Sequence, residues 1–340
     1  MGTILILGTE RDPHVARVAR ALEARGVEAI VADYLRQIAI DFRMDRAGRH
    51  VLRIGGRRLD EPFLIWDRLK LIPGSPLFPP GEEREADWCA MEWRAFFRLV
   101  TGLFRDRVYN TLESRSCLVK PYQQMLAARA GFLVPTTVIA TRKRPLQRFA
   151  REMGACIIKS LSAGKVRPRP HEQPIPYNIF TLPLDSATLA KANPASFRLA
   201  PHFVQERIEK DHELRVEIVG RQVFAFRIDS QKVSHGRIDW RHAIGEVSFE
   251  PVAVSTELRN KLLTFMEAFG LFFGGADIVV DPLGRHWFIE CNQDGQWAWL
   301  DDIVDGAITQ AFAAEFVREL ARRFPRNVET DAPIAAASAG

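Results

Sequence analysis

Cysteine is scarce and scattered in this chain. Cys89, Cys117, Cys156 and Cys291 form no CxxC pair and no metal-ligand spacing. Neither a disulfide framework nor a zinc site is expected, and free thiols in a reducing cytoplasm are the simplest reading. Long apolar runs are missing as well. The longest, residues 271–280, is broken by Gly274, Gly275 and Asp277, short of the ~20 residues that cross a bilayer. No membrane partner is expected, and no basic residue precedes the apolar start at residues 4–7, as a signal peptide would require. The common phosphate signatures are absent too. No GxGxxG follows the first strand, and GxxxxGK[ST] occurs nowhere. No Ser-His-Asp or Cys-His arrangement stands out. Lys and Arg exceed Asp and Glu by 47 to 42, for a net charge of +5. The basic residues lack interleaved aromatics, so no nucleic-acid partner is expected.

What is present reads as an α/β chain in three units. ILIL (4–7), a helix from Pro13 to Gly26 and VEAIVA form a strand–helix–strand opening. A strand at Phe63–Trp66, a proline-rich stretch at 73–80 and a Trp- and Phe-rich helix at about 85–103 complete a unit at 1–113. The second, 114–201, holds a helix at 121–130, the strand-like FLVPTTVIA, a basic helix at 145–153, the strand CIIK and a proline-rich loop at 162–178. The third, 202–325, holds the strands FVQERI, ELRVEIV and QVFAFRID, a helix at 257–269 and a strand pair at 276–280 and 285–291. A disordered tail is expected at 326–340.

The strongest local signal is GGADIVVDPLGRHWFIECNQDGQW, residues 274–297. Asp281-Pro282-Leu283-Gly284 fits a type I turn. Closing it so that Val280 pairs with Arg285 puts Asp277 opposite Phe288, with Glu290 its diagonal neighbour. Asn292 joins the same face by the two-residue period. Two carboxylates and an amide oxygen repel one another without a cation, and Mg²⁺ suits such a set. A solvated hairpin whose acids face water fits the same pattern. If the acids do repel, removing Glu290 should stabilise the empty protein. Upstream, Lys120 opens a helix, Lys159 ends CIIK, and SAGK (162–165) is small enough to close over phosphates. Glu206, Glu213 and Arg215 lie at strand edges where ribose and phosphate could be held, or where ion pairs face solvent.

Taken in order, these residues resemble the ATP-grasp superfamily. The resemblance implies an ATP-grasp fold, with an N-terminal Rossmann-like α/β domain followed by two α+β subdomains that clasp ATP. It implies that Lys120, Lys159, Ser162 and Gly164 hold the phosphates, that Gln205, Glu206, Arg207 and Ile208 line the adenine, and that Glu213 takes the ribose. Asp277, Glu290 and Asn292 would hold Mg²⁺. The chain is more closely similar to the graspetide (microviridin-type) peptide ligases, through DPHVARVARALEARG, EWRAFFRLV, KPYQQMLAARAGFLVP, IDWR and ECNQDGQWAWL. It departs from them at Trp66-Asp67-Arg68-Leu69 and by lacking a proline after Asn292. This resemblance implies a precursor peptide, leader plus core, as partner. A side-chain carboxylate would be phosphorylated and then captured by Ser, Thr or Lys as an ω-ester or ω-amide, with Arg215 and Arg241 on the transferring group, Arg241 being equally open as a structural ion-pair partner of Asp239. A homodimer stays open, and so does a carboxylate–amine ligase acting on a free amino acid or a protein C-terminus.

Overall fold

A computed structural model describes residues 2–36, 38–59, 62–69, 83–111, 114, 119–162, 164–166 and 177–325. The tail expected at 326–340, the stretch at 73–80 and residues 167–176 of the expected loop lie outside the described residues. The chain divides into two compact units, residues 1–95 with 312–340, and residues 96–311.

In the first unit, β1 (Thr3–Gly8) leads through α1 (Pro13–Glu23) to β2 (Glu28–Asp33). The antiparallel meander β3 (Ile40–Met44), β4 (His50–Ile54) and β5 (Arg57–Arg58) precedes β6 (Phe63–Asp67). Strand β1 pairs in parallel with both β2 and β6, and Ile4, Leu5, Ile6 and Leu7 are fully buried, the pattern of a parallel strand covered on both faces. Helix α1 starts where it does because Asp12 accepts the His14 N–H at 3.0 Å and Pro13 needs no partner for a missing donor. Trp66 packs against Phe312 and Phe316 of the helix Ala307–Arg323, with ring centroids 5.3 and 6.1 Å away.

Helix α2 (Glu83–Leu103) and the short β7 (Val108–Tyr109) come next in the chain. The second unit then holds two antiparallel sheets. The first has the order β12-β9-β13-β8. It is built from α3 (Lys120–Arg129), β8 (Thr137–Ala140), α4 (Lys143–Met153), β9 (Cys156–Lys159), a ribbon of β10 (Lys165–Val166) with β11 (Tyr177–Asn178), β12 (Leu182–Leu184), α5 (Ser186–Lys191) and β13 (His202–Glu206). The second has the order β16-β15-β14-β17-β18. Its elements are β14 (His212–Val219), β15 (Gln222–Ile228), β16 (Phe249–Val252), α6 (Thr256–Phe269), β17 (Phe273–Val280) and β18 (His286–Asn292). Two helices not assigned from sequence, Ala298–Ile303 and Ala307–Arg323, follow.

Both sheets obey the two-residue period. Leu214, Val216 and Ile218 on β14, with Ala276, Ile278 and Val280 on β17, join the core formed with Leu126 and Leu262 of α3 and α6. The alternate residues Glu213, Arg215, Asp277 and Val279 take the other face. On β9, Cys156 packs with Leu146, Phe149 and Val204, while Ile157 and Lys159 point away from that core into a cleft. Among the described residues, no helix is long and apolar enough to cross a membrane.

The hairpin register differs from the sequence expectation. Gly284 N–H donates to the Asp281 carbonyl at 2.9 Å, so the type I turn is there, but Asp281 N–H bonds the Arg285 carbonyl at 3.1 Å. The loop therefore has three residues, with Gly284 at φ +74, a turn followed by a left-handed residue. Val280 pairs with His286 rather than Arg285, and a bulge between Asp277 and Ile278 shifts the register again. Asp277 thus faces Glu290 directly, not diagonally, and Gly275 faces Asn292.

Candidate active site

A cleft of about 560 Å³ opens within the second unit, lined from both sheets. Eleven of the expected residues line it: Lys120, Lys159, Ser162, Gly164, Glu206, Arg207, Ile208, Glu213, Arg241, Asp277 and Glu290. The other three stand elsewhere. Gln205 is fully buried and donates to Gln124 Oε1 and Thr137 Oγ1, both at 2.8 Å, so its side chain ties β13 to α3 and β8 instead of lining the cleft. Arg215 lies behind Asp277, and Asn292 is exposed with its amide nitrogen 3.4 Å from Glu290 Oε1.

The two carboxylates are held differently. Arg215 Nη1 donates to Asp277 Oδ1 at 3.1 Å and Arg215 Nε to Glu217 Oε1 at 2.7 Å. Burial, aided by repulsion from Glu290, nevertheless pushes the Asp277 carboxyl above the usual range against the pull of Arg215. Glu290 is also penalised by burial, but its net shift is downward because Lys120, Lys159 and Arg241 surround it. Lys120 Nζ sits 3.4 Å from Glu290 Oε2 and within 3.4 and 3.3 Å of the Ser160 and Ser162 carbonyls. Lys159 is pulled down to about 8 by burial, partly offset by Glu290.

Side chains around the expected residues fix this geometry. Gln123 of α3 bonds the backbone of Cys291 in both directions, at 3.0 and 2.9 Å, and Gln124 donates to the Ile289 carbonyl at 3.0 Å. These amides flank Glu290 on β18, so the helix that begins with Lys120 is docked against the strand that carries its acidic partner. Asn110 accepts from Phe272 and Phe273 N–H and donates to the Phe273 carbonyl at the start of β17. Glu213 accepts from Ser230 at 2.8 Å and pairs with Lys210 at 3.0 Å. Asp239 caps the turn Trp240–Ala243 and grips Arg241 at 2.8 and 2.6 Å. Gln123, Gln124 and Asn110 carry little sequence signal, since an amide on a helix or loop reads as solvent-facing. Lys210 adjoins residues that were singled out and could have been found from that spacing, while the Asp239–Arg241 pair is the alternative the sequence left open.

The loop over the cleft floor is also organised. Ser160 and Ser162 hydroxyls are 2.9 Å apart, and Gly164 N–H reaches Ser162 Oγ at 3.3 Å. Gly164 has φ +67, and a Cβ there would stand 3.0 Å from the Ile179 carbonyl oxygen, so both conformation and space ask for glycine. Glu206 turns its carboxylate to the Thr136 N–H and hydroxyl at 2.6 and 2.8 Å, leaving the Arg207–Ile208 segment along the wall. Two opposed acids, desolvated and partnered by cations, fit the oxygen ligation of Mg²⁺, which takes one or two carboxylates and completes its shell from phosphate and water.

No family model matches the chain. In sequence it is 25% identical over 206 residues to the alpha-aminoadipate–LysW ligase LysX of Sulfurisphaera tokodaii, covering 57% of this chain and 67% of that protein. Its structure is similar to a Chryseobacterium gregarium RiPP-associated ATP-grasp ligase in complex with ADP and a leader and core peptide. That match has a TM-score of 0.78 and 21% identity, over 94% of this chain and 97% of the other. It is also similar to the macrocyclase MdnC of Microcystis aeruginosa MRC bound with precursor peptide MdnA, with a TM-score of 0.75 and 25% identity over 93% and 99% of the two chains. An ATP-grasp ligase solved with Mg and ADP, PsnB, superposes at a TM-score of 0.71. The two-sheet cleft and these likenesses agree: the chain has the fold of the ATP-grasp ligases.

Proposed function

We propose that this protein is an ATP- and Mg²⁺-dependent ligase that cross-links a ribosomal precursor peptide through side-chain carboxylates. The observation that carries the reading is the cleft itself, where Lys120 and Lys159 from one wall meet Asp277 and Glu290 from the other. Asp277 and Glu290, with Asn292 beside them, would hold Mg²⁺, which neutralises charge on the phosphates when bound. Lys120, Lys159 and the Ser162–Gly164 loop would hold the phosphate oxygens, and Glu213 the ribose. The Arg207–Ile208 wall would face the base.

In the first step a carboxylate oxygen of the peptide attacks the γ-phosphorus and the bond to the bridging oxygen breaks, giving acyl phosphate and ADP. A Ser or Thr hydroxyl or a Lys amine then attacks the acyl carbon, phosphate departs, and the nucleophile loses its proton. Positioning and charge do most of the catalytic work in such transfers. Arg241, fixed by Asp239 at the cleft, is placed to hold the acyl phosphate. Arg215 acts from behind Asp277. The peptide partner is supported by the precursor complexes of the structural relatives, and the cytoplasm by the unpaired Cys89, Cys156 and Cys291.

The sequence likeness to LysX favours a second reading, in which the same cleft joins a free amino acid to a protein carboxylate. Intact mass spectrometry separates the two. Incubation with the cognate precursor, ATP and Mg²⁺ should lower the precursor mass by one water per link, with ADP released in step. A mass gain equal to an added amino acid would overturn the peptide-ligase reading.

A further inference from the structure

Glu217 has no place in the cleft, yet it is fully buried beneath it. It shares one face of β14 with Glu213 and Arg215, and Arg215 Nε donates to it at 2.7 Å. The same guanidinium donates to Asp277 at 3.1 Å, so one buried cation is shared between two carboxylates, only one of which is a candidate metal ligand. The surroundings are shaped for this sharing. Gly275 faces Glu217 across the β14–β17 pairing, and a Cβ there would collide with Arg215 Nη2 and lie 2.7 Å from Glu217 Oε2. A Cβ at Gly295 would come within 2.8 Å of Arg215 Nη2. Two glycines from β17 and the segment after β18 thus clear the space the guanidinium occupies.

We propose that Glu217 is a positioning residue that anchors Arg215 and thereby keeps Asp277 available to the divalent cation. A guanidinium left with Asp277 as its sole carboxylate partner competes with the metal for the same oxygens, because both are drawn to one negative charge in a desolvated setting. With Glu217 in place, Arg215 is neutralised from behind and its fork has one fixed direction. The inference deepens the metal-site reading under Proposed function and rests on it.

The test measures Mn²⁺ binding directly, by electron paramagnetic resonance of the full chain at saturating ADP, with no turnover involved. Glu217→Gln keeps the shape and removes the charge, and should weaken Mn²⁺ binding about tenfold while ADP affinity without metal stays within about twofold. Glu217→Asp withdraws the carboxylate by one methylene and should give a smaller loss in the same direction. It also keeps the test alive should the Gln variant not fold. The discriminating variant is Arg215→Gln combined with Glu217→Gln, which removes the competitor together with its anchor and should restore Mn²⁺ affinity to near wild type. A merely structural Glu217 would show no such rescue. Wild-type Mn²⁺ affinity in Glu217→Gln, or a double variant no better than the single, overturns the proposal. Failure of the wild-type protein to bind Mn²⁺ with ADP would instead overturn the metal site, and this inference with it.

Discussion

Asp277 on β17 and Glu290 on β18 face each other across one strand pair, yet the protein treats them in opposite ways. Asp277 leans on a single buried arginine that it shares with Glu217, and its carboxyl is pushed up by burial. Glu290 stands among Lys120, Lys159 and Arg241 and is held down. One acid therefore ionises less readily than a free carboxylate in spite of Arg215 beside it, and the other has its countercharge from the groups that would meet the phosphates. Nucleotide and metal together would relieve both: the metal takes the acids, and the phosphates take the lysines.

The largest expected effect is on Glu290. Glu290→Gln should cut ADP release by at least about 100-fold, since it would remove one of the two carboxylates proposed to hold the metal. It should also lower the melting temperature of the empty protein by a few degrees. Breaking a buried pair costs up to ~3–5 kcal/mol, and partial exposure of both partners reduces that. This is the opposite of the expectation from sequence, in which removing Glu290 stabilises the empty protein. The two acids do repel each other, but Lys120 lies 3.4 Å from Glu290 and would lose its carboxylate partner. Asp277→Asn should lose turnover to a similar degree while the melting temperature holds or rises, since burial and Glu290 both disfavour its charge. Equal thermal shifts in the two variants would erase the contrast.

A third effect follows from Lys159. With its pKa lowered to about 8, it is charged below that pH and neutral above it. Bound phosphate favours the charged form, so ADP affinity should fall as pH rises through 8, several-fold by pH 9. Nucleotide binding near pH 8.5 should take up a proton, read as a buffer-dependent enthalpy in calorimetry. Lys159→Met should flatten both responses. The smallest effect is at the helix that brings Lys120 to Glu290. Gln123→Ala leaves the Cys291 backbone without its side-chain partner, costing about 1–3 kcal/mol in chemical denaturation. It should weaken ADP binding only a few-fold, without the turnover loss of Glu290→Gln.

Much of this site was legible in the sequence. The alternation of GGADIVV puts Asp277 and Glu290 on one face, the resemblance to the ATP-grasp enzymes adds Lys120 and Lys159, and the cleft contains all four. What was not legible depended on single backbone residues or on burial. The register slipped because Gly284 takes a left-handed φ and makes a three-residue loop, and because nothing in the sequence marks the bulge at Asp277. Gln205 read as a cleft residue but ties β13 to α3 and β8, since a two-residue period cannot tell which face of a short strand is covered. Glu217 carries no signal of its own in the sequence, and its pairing with Arg215 shows only in the folded chain. The strands at 40–44 and 50–54 passed unnoticed, being apolar on one side only.

The most direct test is a crystal structure of the protein with ADP and Mn²⁺, using the anomalous signal of manganese to locate the ion. If Asp277 and Glu290 hold the cation together, the peak will lie between their carboxylates, with Lys120 shifted from Glu290 toward a phosphate oxygen. A manganese peak away from both acids, with Lys120 still paired to Glu290, would contradict the assignment of this cleft.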